Sequence, residues 1–367
     1  MIRSQKSFMN VLLAKVALSL LLCTGCGKAS PNTSTMLVVS NGVIVVDTRE
    51  KIRFDGLDYN NYLLELRSAA EKGADSKFTL HVVDQDGKEV ADAEVEVLFP
   101  FNGRRGNTLS GKTDAHGLFL VEDKTTGEPS FIVMKKGYYR TTSTFGVFKI
   151  GTRCLQNGRW IPWDPKFEVT LKEIRKPVPM IVKRVESKLP KFDVPVGFDF
   201  KAGDWVAPYG KGIIADMILT YSEIEREDSW SKYDFKVEFP APAGGAYIKK
   251  KDTYSELGSS HEATEEAYSS CLSFVYERTD SKIIQDIKIA PEDYLVFRSR
   301  TETDEKGALK TAHYGKIYGP FKFADGRDRE VVFYYYFNPT PNDRNLEFDG
   351  KNNLLKNSTS RERTYKP

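Results

Sequence analysis

The sequence predicts a mainly β protein, in which an N-terminal β-sandwich is followed by a second antiparallel β-sandwich or jelly-roll domain, with one or two short helices. Two patterns support this prediction: apolar residues alternate with period two after residue 78, and Gly, Pro and Asp turns recur roughly every 10 to 25 residues. The length of 367 residues suits two domains, and an aromatic content of 12% supplies material for their cores.

The charge balance argues against a nucleic-acid partner. The chain has 54 Lys and Arg residues against 51 Asp and Glu residues. Cleavage before Cys26, discussed next, would remove Arg3, Lys6 and Lys15 and make the two numbers equal. A neutral chain lacks the basic surface that nucleic-acid-binding proteins need, so neither DNA nor RNA is expected to bind.

The N-terminus has the features of an export signal. Residues 1–15 carry three cations and no acid, Val16–Leu22 is apolar, and Leu22-Cys23-Thr24-Gly25-Cys26 follows. The apolar run is too short to span a bilayer, whereas small residues before a cleavage site suit a signal peptidase. The remaining alternative is an ordinary secretory signal that is cut nearby.

This segment resembles a bacterial lipoprotein signal, and the resemblance implies that Cys26 is acylated and becomes the new N-terminus. Residues 1–25 would then be a signal peptide and residues 26–36 a polar tether. The lipid bilayer would be a partner of the protein through acylated Cys26. Because Gly27 rather than Asp follows the cysteine, we expect the outer membrane of the cell envelope more than the inner one.

The two remaining cysteines, Cys154 and Cys271, leave two alternatives open. Outside the cytoplasm they could form a disulfide that joins the two predicted domains. They could equally be two separate buried thiols. The sequence after the signal contains no CxxC pair and only four dispersed His residues, so we expect neither a metal site nor a cofactor.

Residues 37–76 are predicted to form a hairpin and a helix. Two β-branched runs flank Asn41-Gly42, a pair that tolerates positive φ at both positions of a tight hairpin turn. Apolar residues from Tyr59 to Ala70 then follow the helical period, and Gly73 can end that helix in a left-handed conformation.

Residues 77–175 are predicted to form the first sandwich. Its turns are Asp84-Gln85-Asp86-Gly87, Thr113-Asp114-Ala115-His116-Gly117 and Lys136-Gly137-Tyr138-Tyr139. With the alternating strands between them, these turns resemble the carboxypeptidase regulatory-like domain at about 78–146. The resemblance implies an Ig-like or transthyretin-like β-sandwich, and it implies no catalytic residues.

The rest of the chain is predicted to contain a Pro-rich linker at 176–195, a C-terminal β domain at 196–350 and a disordered, cation-rich tail at 351–367. The candidate strands of the C-terminal domain are Ile213–Thr220, Tyr233–Phe239, Cys271–Glu277, Tyr294–Ser299 and Val331–Phe337. The last of these is apolar or aromatic on both faces, which indicates a central strand.

Two motifs resemble catalytic or binding sequences, but their context differs. Gly106–Thr113 matches the P-loop pattern, yet a turn into a strand follows instead of a helix, so we expect a hairpin loop and no bound nucleotide. His261–Glu265 has Glu265 where a zinc-peptidase helix needs its second His, and we expect a short exposed helix there.

The strongest candidate site is the stretch from Asp199 to Gly212, followed by Asp216, in which Asp204 and Asp216 are the catalytic candidates. Paired carboxylates can serve as acid and base in glycoside hydrolysis, and the rings of Trp205 and Tyr209 could stack on a sugar. The alternative is a turn segment whose carboxylates satisfy local amides, with Trp205 plugging the core.

A second candidate site is Asn338–Glu347, the loop that follows the aromatic strand, with Asp343 and Arg344 as its binding candidates. The alternative here is again a turn segment whose Asp and Asn side chains satisfy local amides.

These features favour a membrane-anchored envelope or cell-surface lipoprotein that acts as a non-catalytic binding or scaffold protein. Its partner beyond the bilayer would be a glycan or an envelope protein. The alternative is a secreted hydrolase, acting on glycans or peptides, that uses Asp204 or Asp216. Two carboxyl groups within about 5–10 Å in a cleft lined by Trp205 or Tyr209 would favour the hydrolase.

Overall fold

A computed structural model describes residues 59–102, 104–143, 154–227, 230–252, 254–265, 268–279, 283–286, 292–323, 330–356, 358–362 and 367, and the backbone of residues 35–40 and 43–48. The predicted signal peptide, the lipidation candidate Cys26 and most of the tether lie outside the described residues. The described part of the chain is mainly β, as predicted, with helix α1 (Tyr59–Lys72). It contains no helix long and apolar enough to cross a bilayer.

The described strands, in chain order, are β1 (Thr35–Ser40), β2 (Val43–Thr48), β3 (Ala74–Asp84), β4 (Glu94–Phe101), β5 (Arg104–Lys112), β6 (Leu118–Thr125), β7 (Ser130–Met134), β8 (Thr141–Ser143), β9 (Leu155–Gln156), β10 (Arg159–Trp160), β11 (Lys166–Leu171), β12 (Val178–Lys188), β13 (Val196–Asp199), β14 (Asp204–Trp205), β15 (Met217–Glu227), β16 (Trp230–Glu238), β17 (Gly245–Lys250), β18 (Cys271–Thr279), β19 (Ile283–Asp286), β20 (Asp293–Thr303), β21 (Leu309–Phe323), β22 (Glu330–Phe337) and β23 (Phe348–Asn353).

The hairpin and the helix predicted near the N-terminus are both present. Strands β1 and β2 pair antiparallel with Ser40 opposite Val43, which leaves two residues for the turn. Helix α1 buries Tyr62, Leu66 and Ala69 on one face, as expected for the helical period. Gly73 follows with φ of +78° and donates its amide to the carbonyl of Ala69 at 2.9 Å, which ends the helix.

The N-terminal sandwich consists of two sheets around one core. Strands β5-β4-β7-β8 form the first sheet, and β3 organises the second by pairing with β6, β10 and β11. The predicted turns are formed by Asp side chains: Asp84 Oδ1 accepts the amides of Asp86 and Lys88, and Asp114 Oδ1 accepts those of His116 and Leu118. The P-loop-like segment lies largely in strand β5 rather than in a hairpin loop.

The C-terminal sandwich packs two six-stranded sheets face to face. One sheet has the order β17-β20-β21-β22-β12-β23 and the other has the order β14-β13-β15-β16-β18-β19. Aromatic side chains from both sheets fill the space between them, including Phe198, Phe200, Phe297, Phe333 and Tyr335. Strand β22 pairs on both sides, so it is central as predicted.

The predicted linker and the predicted tail both contribute to the C-terminal sandwich, which corrects those two expectations. Strand β12 occupies most of residues 176–195 and pairs with β22 and β23. Pro179 lies where the pairing with β23 is irregular, between Val178 and Met180, so the strand does not need a hydrogen bond from an amide at this position. Residues 351–353 belong to β23, and Leu354 donates its amide to Met180 O at 2.9 Å.

Beyond β23, the described residues of the tail remain packed against β12. The carboxylate of Glu362 lies 2.9 Å from Lys183 Nζ. Burial alone would raise the pKa of Glu362, but hydrogen bonds from Lys183 and Thr359 outweigh it and lower the pKa to about 2. The acidic residue of the tail therefore forms an ion pair with strand β12.

Among the described residues, Cys154 and Cys271 are both free thiols, so the disulfide considered above is not formed. Cys154 is buried in the N-terminal core, where its Sγ lies 3.6 Å from the hydroxyl of Tyr62. Cys271 is exposed at the start of strand β18 in the C-terminal sandwich. Because each thiol belongs to a different sandwich, the fold does not bring them together.

Glu347 joins the two sandwiches. Its buried carboxylate accepts hydrogen bonds from the hydroxyl of Tyr139 at 3.0 Å and from the amides of Arg175 and Lys176 at 3.1 and 2.9 Å. Nearby, Lys172 Nζ donates to the carbonyl of Leu257 at 3.0 Å. The loops of the C-terminal sandwich therefore bind directly to the end of the first.

A buried lysine lies next to this junction. Lys316 Nζ donates to Ser259 Oγ at 2.9 Å and lies 4.8 Å from the ring centroid of Tyr336. Burial lowers the pKa of Lys316 well below its ordinary value, the charge of Lys172 lowers it further, and the charge of Glu347 opposes the shift.

We predict that Lys316 makes stability depend on pH in the alkaline range. Between the lowered pKa and the ordinary value, the unfolded chain holds a proton that the folded chain does not, so the free energy of unfolding increases with pH. Lys316→Met should reduce that increase, measured by urea denaturation at about pH 7.5 and 9.5, by up to about 1.4 kcal/mol per pH unit. The exposed Lys306→Met serves as the control, and equal slopes in both variants would contradict the prediction.

Candidate functional site

The stretch that the sequence singled out forms a compact loop at the edge of one sheet. Residues 206–214, which we call the 206–214 loop, lie between edge strand β14 and strand β15. Backbone hydrogen bonds close the loop on itself: Gly212 donates its amide to Trp205 O at 2.8 Å, and Tyr209 donates to Val206 O at 3.1 Å. The peptide bond between Ala207 and Pro208 is cis.

Asp204 stabilises this loop through both carboxylate oxygens. Its Oδ1 accepts the amide of Trp205 at 2.9 Å, and its Oδ2 accepts the amide of Lys211 at 2.9 Å. Gly210 allows this close approach, because a Cβ there would lie 2.7 Å from Asp204 Oδ1 and 2.4 Å from Trp205 O. The first predicted catalytic candidate therefore acts as a turn-forming carboxylate.

Asp199, at which the predicted stretch begins, binds the other end of the loop. Its Oδ2 accepts the amides of Ile213 and Ile214 at 3.0 and 3.1 Å, and its Oδ1 accepts those of Lys201 and Ala202 at 2.9 and 3.0 Å. Burial would raise the pKa of Asp199, but these amide hydrogen bonds and the charge of Arg300 outweigh it and lower the pKa.

Asp216, the second catalytic candidate, is fully buried and paired with Arg300. The guanidinium binds both carboxylate oxygens, with Nε 2.9 Å from Oδ1 and Nη2 2.8 Å from Oδ2. The amide of Phe200 also donates to Oδ2 at 2.8 Å. Because both oxygens are engaged and no water reaches them, the arrangement suits a structural ion pair rather than proton transfer to a substrate.

Arg300 reaches these carboxylates from the opposite sheet. It lies in strand β20 at an irregularity in the pairing with β21, and its φ is +47°. Such a bulge can turn a side chain away from its regular direction, and here the guanidinium also contacts Asp199 Oδ1 at 2.6 Å. Asp199, Asp216 and Arg300 form what we call the buried ion triad.

The two aromatic candidates have different environments. Trp205 is only 6% exposed, its ring packs edge-on against Phe198 with centroids 5.2 Å apart, and its Nε1 lies 3.3 Å from Ser187 Oγ. Trp205 is therefore a core side chain, and its ring faces are not available for a sugar. Tyr209, in contrast, is 41% exposed.

Two isoleucines extend the exposed surface of the 206–214 loop. Ile213 is 86% exposed and Ile214 is 49% exposed, next to Tyr209 in the same loop. The sequence analysis assigned both isoleucines to the start of a strand, whereas strand β15 begins only at Met217. In the sequence, these two β-branched residues directly follow a Gly-rich turn, a pattern that predicts a strand as readily as an exposed loop.

The second predicted site is also held by local interactions. Asp343 Oδ1 accepts the amide of Asn345 at 3.1 Å, and Arg344 forms ion pairs with Glu265 at 3.1 Å and Glu262 at 3.7 Å. The segment 261–265 contains no helix, contrary to expectation, because it runs alongside this loop, where His261 O accepts the amide of Leu346 at 2.7 Å. Asp343 thus shapes its own loop, and Arg344 holds the two loops together.

The described residues include no group of three His, Cys, Asp or Glu side chains that could hold a metal ion. The carboxylates around the 206–214 loop accept hydrogen bonds from backbone amides and from Arg300. The chemistry that the loop itself offers is an apolar, partly aromatic surface.

No protein-family model and no curated protein matches this sequence. Among solved structures, 3-chlorocatechol 1,2-dioxygenase from Rhodococcus opacus is similar at 15% identity and a TM-score of 0.23, over 28% of this chain and 62% of the dioxygenase. This chain therefore spans less than two thirds of the dioxygenase.

Two further structures match over more of the chain. A DUF3823 family protein from Parabacteroides merdae is 9% identical over 71% of this chain and 96% of its own, with a TM-score of 0.19. A Bacteroides uniformis protein, named as a candidate carbohydrate-binding protein, is 10% identical over 72% and 96%, also with a TM-score of 0.19. These similarities are distant, and such TM-scores do not bear on the function of this chain.

We predict that Asp216→Asn destabilises the C-terminal sandwich by about 3–5 kcal/mol, because it leaves the Arg300 guanidinium buried without its full partner. Urea denaturation would measure the loss. The matched control is Asp204→Asn, which weakens the hydrogen bonds of a partly exposed turn and should cost about 0.5–1.5 kcal/mol. An Asp216→Asn protein with wild-type stability would contradict the structural role of this carboxylate.

Proposed function

We propose that this protein is an exported, non-catalytic binding protein of the cell envelope, anchored through acylated Cys26, and that it binds its partner through the 206–214 loop. The observation that carries this proposal is the exposure of Tyr209, Ile213 and Ile214 on a loop that two carboxylates hold in place. The anchor rests on the export signal in the sequence.

Exposed apolar side chains on a rigid loop favour binding for two physical reasons. Covering a largely exposed isoleucine contributes about 1.5–3 kcal/mol through removal of apolar surface from water. Because Asp199 and Asp204 already fix the loop, little conformational entropy is lost when a partner covers it. A flexible loop of the same composition would bind more weakly.

The same contacts support a non-catalytic role. Asp204 accepts two backbone amides, and Asp216 accepts Arg300 and the amide of Phe200, so neither carboxylate is positioned to exchange protons with a substrate. Trp205 belongs to the core, so no cleft lined by this ring accompanies the carboxylates.

We predict that, in a Cys26→Ser background that lacks the acyl anchor, the double variant Tyr209→Ser/Ile213→Ser loses most of the remaining binding to isolated envelope fractions, measured by co-sedimentation. Its free energy of unfolding should stay within about 0.5 kcal/mol of the wild type, because both side chains are largely exposed. Leu120→Ser is the matched control, since Leu120 is 54% exposed on the N-terminal sandwich. Equal binding by the double variant and the control would refute the role of the loop.

The anchor has a separate test. Cys26→Ser should remove the fatty-acyl mass from the N-terminal peptide and shift the protein out of the membrane fraction, because each buried CH₂ of an acyl chain contributes about 0.8 kcal/mol. Mass spectrometry and cell fractionation measure the two effects. An unmodified Cys26 in the wild-type protein would show that the anchor assignment is wrong.

A further inference from the structure

We infer that the 206–214 loop binds the lipid bilayer itself, with Ile213 and Ile214 entering the boundary between headgroups and acyl chains. This inference rests on the proposed function and names the partner of the same loop. It follows from the size of the exposed surface, from the residues beside it and from the hydrogen bonds of the loop backbone.

The exposed surface is small and protruding. It consists of Tyr209, Ile213 and Ile214, and Ile213 is 86% exposed, so its side chain stands out from the surface instead of lining a groove. A stable protein interface buries about 800 Å² on each partner, which three side chains do not provide. Glycan sites use aromatic faces for stacking, and because Trp205 is buried, Tyr209 is the one aromatic ring that the loop offers.

The types of residue at the loop match the layers of a membrane interface. Isoleucine suits the acyl boundary, and tyrosine suits the headgroup level, where its ring is apolar and its hydroxyl is wet. Lys201 and Lys211 are exposed beside them, and neither pairs with a carboxylate among the described residues. These lysines can approach the phosphates of anionic lipids.

The nearby acidic groups do not oppose this contact. Asp199 and Asp204 direct their carboxylate oxygens at backbone amides of the loop, and Asp216 is buried against Arg300. Their charges are therefore partly neutralised by donors inside the protein. The groups that would face the membrane are therefore the apolar side chains of the loop and the two lysines.

Most backbone amides of the loop already have hydrogen-bond acceptors within the protein, which lowers the cost of removing the loop from water. The amides of Tyr209 and Gly212 donate to carbonyls within the loop region, and those of Lys211, Ile213 and Ile214 donate to carboxylates. Pro208 has no amide hydrogen to satisfy. An unpaired amide in an apolar layer costs several kcal/mol, so this pairing lowers the cost of inserting a non-helical segment.

The contact would act together with the acylated N-terminus. A loop with two inserted isoleucines binds a bilayer only marginally by itself. Once the acyl chains hold the protein at the surface, the loop binds in an intramolecular step at high effective concentration. The result would be a C-terminal sandwich held in a defined orientation against the membrane.

The test uses an environment-sensitive probe on the full chain. Cys271 is exposed and would be replaced by Ser, and Ile213→Cys would then be labelled with NBD, because the other described cysteine, Cys154, is buried. The matched control carries the label at Leu120→Cys, an exposed apolar position on the N-terminal sandwich. Both proteins are added to vesicles of phosphatidylethanolamine and phosphatidylglycerol, with and without doxyl-labelled lipid.

We expect the emission at position 213 to shift to the blue and to be quenched by doxyl lipid at least about twofold more than at position 120. A label at 213 that reports water in the presence of vesicles would overturn the bilayer assignment. If Tyr209→Ser/Ile213→Ser still loses binding to envelope fractions in that case, the loop binds a protein or glycan and the proposed function stands. If that binding is also unaffected, both proposals are wrong.

Discussion

The buried ion triad is the interaction on which the C-terminal sandwich and its exposed loop depend. Arg300 extends from one sheet and binds Asp199 and Asp216 on the other, so a single guanidinium connects the two layers. Removing two carboxylates and a guanidinium from water is costly, and the cost is offset only because nearly every oxygen also accepts a backbone amide. The triad thus requires the surrounding loops to keep their conformation.

The same requirement explains how the protein keeps apolar side chains in contact with water. Without the amide hydrogen bonds to Asp199, the chain at Ile213 and Ile214 could turn inward and bury these side chains. The core beneath is already filled by Trp205 and Phe198, which leaves no space for them. The packed core and the hydrogen-bonded loop backbone together keep the two isoleucines exposed, where a bilayer or another partner can contact them.

The junction between the sandwiches uses the same principle of buried charge satisfied by backbone groups. Glu347 accepts two amides and the hydroxyl of Tyr139, and Lys172 donates to carbonyls across the junction. The N-terminal sandwich, which follows the predicted anchor in the chain, is thereby bonded to the sandwich that carries the 206–214 loop.

Much of the fold could be predicted from local patterns. Alternation with period two, the Asn41-Gly42 hairpin, helix α1 and the Asp-based turns all depend on residues close in sequence, and the structure contains each of them. The central position of β22 could also be predicted from the sequence, because the residues on both of its faces are apolar or aromatic. The prolines at 176–195 predicted a linker, and this prediction was wrong because Pro179 lies at an irregular point in the pairing of β12.

The site could not be predicted in the same way, because it depends on contacts between distant residues. Asp216 became a structural group only when Arg300, 84 positions later in the sequence, was turned toward it at a bulge. Whether Ile213 points outward or Trp205 inward depends on which space the two packed sheets leave free. Sequence alone determined the strand-forming segments and the turns, since these follow from local propensity, and it predicts the export signal. Tertiary structure decided which carboxylates are paired and which apolar side chains remain exposed, because burial and ion pairing are properties of the assembled layers.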